Sequence, residues 1–92
     1  MNTIRILGRE YKVKKKKFKL AKDGCTFFGQ TWFHSHSIYL NDRNCQAQDK
    51  ETLFHEIFHI VSDLTASRLS ERQVTAMSVG IYSVLKDNKK LI

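Results

Sequence analysis

Apolar and polar positions alternate through the first half of the chain and recur at helical intervals through the second. Ile4 and Ile6 sit between polar neighbours, and Tyr11 and Val13 resume the same period after Gly8-Arg9. A period of two on either side of a glycine-containing turn predicts a β-hairpin. Lys22-Asp23-Gly24 reads as a further turn, residues 25–32 are rich in aromatic and β-favouring side chains, and Ile38 and Leu40 alternate before the Asn41-Asp42 break. A second hairpin, reversing near residues 33–36, follows from that pattern.

From residue 44 or 49 onward the period changes. Leu53, Ile57, Ile60, Val61 and Leu64 recur at i, i+4, i+7, i+8 and i+11, and Phe54 and Phe58 widen the stripe. This spacing predicts an amphipathic helix with one buried face. A break over residues 65–69 precedes Ser70, which forms a capping box with Gln73 at the start of a second helix. Val74, Met77, Ile81 and Leu85 supply that helix with an apolar face, and it ends near Asp87-Asn88. A small antiparallel sheet of two hairpins followed by two antiparallel helices is an α+β arrangement.

Ninety-two residues without an internal repeat or a Pro- or Gly-rich linker are expected to form one domain, 1–92, with a single modest core. No apolar run approaches the roughly 18 residues of a membrane span. Residues 1–7 carry no secretory pattern, so a cytoplasmic protein with no membrane partner is expected. Cys25 and Cys45 lie 20 positions apart without C-x-x-C spacing and read as reduced, buried thiols. The net charge of +7, from 16 Lys and Arg against 9 Asp and Glu, is concentrated in Lys12, Lys14, Lys15, Lys16, Lys17, Lys19 and Lys22. Interleaved Val13, Phe18 and Leu20 sort this segment into an apolar and a basic face. Such lysines either shield an edge strand from other chains or receive nucleic acid or an acidic partner.

His55-Glu56-Ile57-Phe58-His59 is an HExxH sequence on the first predicted helix. Two histidines four apart lie about 40° apart around a helix and about 6 Å along it, so both imidazoles reach one ion. The intervening glutamate is placed to hold an attacking water and take its proton. With Leu53 at 0°, the apolar stripe falls within about 80° of it and His55 and His59 near 200° and 240°, so they are not core histidines. They are either zinc ligands or a solvated surface pair.

A catalytic zinc takes three protein ligands and keeps one position open. Asp63 follows His59 by four residues, but its rise from His55 is about 12 Å, which leaves it at most a partner that orients His59. Glu71 is the better candidate, since it lies near 60° from Val74 on the inward side of the second helix. It is also placed to offset that helix's dipole as a first-turn glutamate. Ligation by Glu71 requires the first helix to stop near Asp63 or Leu64, or the second to begin before Ser70.

The HExxH helix, the Glu71-x-x-Val74 element, and the ending Gly80-Ile81-Tyr82-Ser83-Val84-Leu85-Lys86-Asp87-Asn88 resemble small phage and prophage metallopeptidase-like proteins related to the ImmA/IrrE group. Residues 4–13 and 29–40 are similar to the two hairpins of that group, so the resemblance covers nearly the whole chain. It implies a minimal zincin-like fold with a gluzincin-like Zn2+ site of His55, His59 and Glu71, and Glu56 as the base. A phage or prophage regulatory protein is the substrate class it suggests, in a bacterial or phage-infected cell. The heavy lysine cluster and the His34-Ser35-His36 turn depart from the group.

In an extended segment His34 and His36 share a face, where they would stabilise an oxyanion, bind a second metal, or simply be exposed. Tyr82 lies about 16 Å along its helix from Glu71, too far to assist at a zinc that Glu71 holds. Two functions follow as expectations. One is a zinc metalloendopeptidase with Glu56 as general base and a peptide bound along an edge strand supplied by residues 37–41. The other is a zinc-containing binding module without turnover, engaging nucleic acid or an acidic host protein through its lysine-rich face.

Overall fold

The computed structural model describes residues 3–18 and 28–91. Within them four strands, β1 (Thr3–Ile6), β2 (Arg9–Lys16), β3 (Gly29–Trp32) and β4 (Ser37–Asn41), precede two helices, α1 (Gln46–Leu64) and α2 (Glu71–Asp87). The α+β class expected from the change of period is the one observed. The turn at residues 22–24, the strand-like residues 25–27, Cys25, Lys19, Leu20 and Lys22 lie outside the described residues.

Both hairpins form. The first turns at Leu7-Gly8, one residue earlier than the pattern indicates, because both have positive φ, 49° and 80°, as a type I′ turn requires. The second reverses over residues 33–36. The sheet they build is mixed, not purely antiparallel: its order is β1-β2-β4-β3, and β2 pairs with β4 in parallel, with Val13 opposite Ile38 and Lys15 opposite Leu40. Successive strands alternate in direction, so joining the hairpins through their second strands places two like-directed strands side by side. Local periodicity says nothing about which strands meet.

This order moves the sheet edge. β4 is flanked on both sides, whereas β3, among the described strands, has one neighbour and lies at the edge beside α1. Residues 37–41 therefore do not supply the open edge expected of them. β2 is also interior, so its lysines do not protect an edge.

The pleat sends Ile4, Ile6, Tyr11, Val13, Ile38 and Leu40 to one face, and α1 lays Leu53, Ile57, Ile60, Val61 and Leu64 against them. Ile38 and Ile60 are fully buried at the centre. The helix approaches the sheet closely at Gly29, where an added Cβ would stand 2.5 Å from Thr52 Cγ2 and 3.0 Å from the Tyr39 carbonyl oxygen. Gly29→Ala is expected to cost about 1–3 kcal/mol by forcing α1 away from β3. Urea denaturation measures the loss.

α1 stops at Leu64 in a Schellman arrangement. Ser67 N–H donates to the Ser62 carbonyl, Ala66 N–H donates to the Asp63 carbonyl, and Ala66 takes a positive φ of 54°. The buried Ser62 hydroxyl then accepts a hydrogen bond from Leu69 N–H at 2.9 Å, which draws the connection back over the helix end. Ser70 caps α2 with both bonds of the predicted box in place. Among the elements, α2 touches α1 alone. Its buried face is consequently narrow: Val74 and Ser78 are buried and Tyr82 and Leu85 half-buried, while Met77 and Ile81, expected in the core, are exposed. Cys45, at the N-cap of α1, is exposed and not buried as expected. No helix among the described residues is long and apolar enough to cross a membrane.

Candidate metal centre

Around α1 the side chains sweep from the sheet to the second helix. The apolar stripe faces the core, Thr52 and Glu56 follow toward β3, and His55 and His59 face α2. The histidines are neither core residues nor a solvated pair. Their side chains retain 23% and 30% of their exposure, between the helices.

The early end of α1 and the short connection place the first residue of α2 opposite these imidazoles. His55 Nε2 lies 2.7 Å from Glu71 Oε1, His59 Nε2 lies 2.8 Å from Glu71 Oε2, and the two Nε2 atoms are 3.1 Å apart. The first of the two conditions for ligation by Glu71 is met, since α1 ends at Leu64 and α2 begins only after Ser70. Among the described residues, His55, His59 and Glu71 form a group with one ligand atom each, all within 4.8 Å of one another. Tetrahedral ligands at zinc bond lengths of about 2.0–2.1 Å stand roughly 3.3 Å apart, so these donors are already at ligand spacing. Two imidazole nitrogens and a carboxylate are also the donor set that zinc takes at sites with an open position. Glu71 is the outermost of the three, with 69% of its side chain exposed, which leaves the cluster accessible from solvent.

Glu56 does not join the donors. It is 8% exposed, and its Oε1 accepts a hydrogen bond from Thr31 Oγ1 at 2.7 Å. Thr31 lies on the inner face of β3, two residues from Gly29, and the close approach at Gly29 brings its hydroxyl to the helix. Sequence reasoning missed Thr31. An isolated glycine in a strand marks close backbone approach, and that signal was present at Gly29. Glu56, the histidines and Glu71 line a cleft of about 660 Å³, whose β3 side is formed by residues 28–31 and whose rim carries exposed Phe28, Phe33 and Val79. This size suits a small ligand or a short stretch of peptide.

The remaining candidates lie apart. Asp63 is exposed one turn beyond His59 and is not among the clustered donors. His34 is exposed, whereas His36, with φ of 48°, is half-buried and stacks on Tyr11 at 4.8 Å between ring centroids, so it serves the turn. Tyr82 packs on Phe54 at 5.3 Å and is not among the residues that line the cleft. Comparison with protein families, curated proteins and solved structures returns no match to this chain.

Proposed function

We propose that this chain is a small zinc-dependent metalloendopeptidase, with His55, His59 and Glu71 holding the metal and Glu56 as the general base. The observation that carries this reading is the clustering of three donors within 4.8 Å of one another in a cleft that a buried carboxylate also lines. A bound zinc would supply Lewis acidity, polarising the scissile carbonyl and making water a better nucleophile. Glu56 accepts the proton of the attacking water as its oxygen bonds to the carbonyl carbon, then delivers that proton to the departing amine as the C–N bond breaks. Thr31 holds the carboxylate in one orientation while it does so.

The peptide lies along the side of β3 that no other described strand occupies, and extends the sheet by one strand. Phe28, Phe33 and Val79 on the rim favour apolar side chains next to the cleaved bond. The resemblance to the ImmA/IrrE group suggests a phage or prophage regulatory protein as the physiological substrate. The test is hydrolysis of an unfolded protein by zinc-loaded and zinc-stripped samples, with new termini mapped by mass spectrometry. Zinc-dependent cuts next to apolar residues are expected, and absence of cleavage at full zinc occupancy overturns the proposal.

A further inference from the structure

The face of the sheet turned away from α1 carries its own chemistry. The strand period that buries Tyr11 and Val13 sends Lys12, Lys14 and Lys16 of β2 to this outer face, about 6.7 Å apart. Lys14 is in register with Tyr39 of β4, and Tyr39 with Gln30 of β3, so the lysine row, Tyr39, Gln30 and Trp32 share one surface. Trp32 is 45% exposed and meets Tyr39 edge-on at 5.1 Å. The Lys16 ammonium lies 4.7 Å from the Trp32 ring centroid and 5.2 Å from that of Tyr39, which ties the charged row to the aromatic pair. Because β2 is interior, edge protection does not account for these lysines. Lysine is also a poor strand former, so three in alternate positions oppose local propensity.

We infer that this outer face binds single-stranded nucleic acid, with successive phosphates along Lys12, Lys14 and Lys16 and a base stacked on Trp32. A row of cations at the strand period matches the repeating charge of an extended phosphate backbone. An exposed ring beside the row gives a base a surface that an acidic peptide or a lipid headgroup does not need. Among the described residues this face carries no helix to enter a duplex groove, so a single strand is favoured over a double one. This inference is independent of the metal centre, since Thr31 faces the cleft while its neighbour Trp32 lies on the opposite face against Tyr39 and Lys16.

Trp32 is the chain's single tryptophan, so the chain reports base stacking directly by its emission. Titration with a single-stranded oligothymidylate should quench that emission. Three phosphate contacts give a salt slope of about −2, or roughly twentyfold weaker binding between 50 and 200 mM salt. Followed by anisotropy of a labelled oligonucleotide, Trp32→Ala should weaken binding about tenfold to a hundredfold. Replacing Lys12, Lys14 and Lys16 together by Ala should flatten the salt slope toward zero. These side chains are exposed, so the variants should keep the wild-type circular dichroism spectrum. Trp32→Tyr, which keeps a stacking ring, should retain most of the affinity. Unchanged tryptophan emission, or equal affinity of the wild type and Trp32→Ala, overturns the inference. Binding of heparin or of phosphatidylserine vesicles as tight as that of the oligonucleotide overturns it too, by assigning the face to polyanions or membranes in general.

Discussion

Zinc in about thousandfold excess over its dissociation constant is expected to stabilise the folded chain by about 4 kcal/mol. For a domain of this size that is a rise in melting temperature of roughly 15–30 °C. The expectation rests on preorganisation: three donors drawn from two helices stand within 4.8 Å of one another, and the unfolded chain has no such arrangement. His59→Ala and Glu71→Ala should each remove most of the shift, because two donors do not define a site. Asp63→Ala, which changes an exposed carboxylate one turn beyond His59, should leave it intact. Differential scanning fluorimetry with and without zinc, paired with elemental analysis, reads both effects. A shift equal in the wild type and in His59→Ala would place the metal elsewhere.

The distribution of what was readable follows from the range of each interaction. Ser70 and Gln73 satisfy each other's backbone groups within one turn, so the start of α2 could be read to the residue. HExxH is likewise a local spacing, and helix geometry alone brings its imidazoles together. The expected break over residues 65–69 matches the end of α1 at Leu64, but the geometry of that stop was harder to read. A Schellman stop usually advertises itself by glycine at the left-handed position, and here that position is Ala66. The reach of Glu71 to the histidines depends on that stop and on the Ser62 clasp to Leu69, neither of which leaves a composition signal. The parallel pairing of β2 with β4 is longer in range still, and it decides that the cleft is bordered by β3 and not by β4. Thr31 became visible only with that pairing, since its role depends on which strand α1 crosses. The exposure of Met77 and Ile81 has the same origin: a helix that rests on a single neighbour buries fewer apolar positions than its periodicity offers.

Glu56→Gln should lower kcat by about a hundredfold to ten-thousandfold, the usual worth of a positioned general base, while zinc content and melting temperature stay at wild-type values. The side chains are nearly isosteric, and Glu56 is not one of the clustered donors, so metal and fold have no reason to respond. Thr31→Val should act through the same carboxylate. It removes a 2.7 Å hydrogen bond to a buried charged group, worth about 1.5 kcal/mol or more, and so should cost roughly tenfold in kcat with little change in KM. Thr31→Ser, which keeps the hydroxyl, should recover most of that loss. The decisive comparison is the double variant. If Thr31 works by holding Glu56, adding Thr31→Val to Glu56→Gln should cost almost nothing more, because the orientation it enforces no longer serves a base. A full tenfold penalty in both backgrounds would instead make Thr31 a prop for β3, and loss of zinc from Glu56→Gln would move that residue from the base to the ligand set.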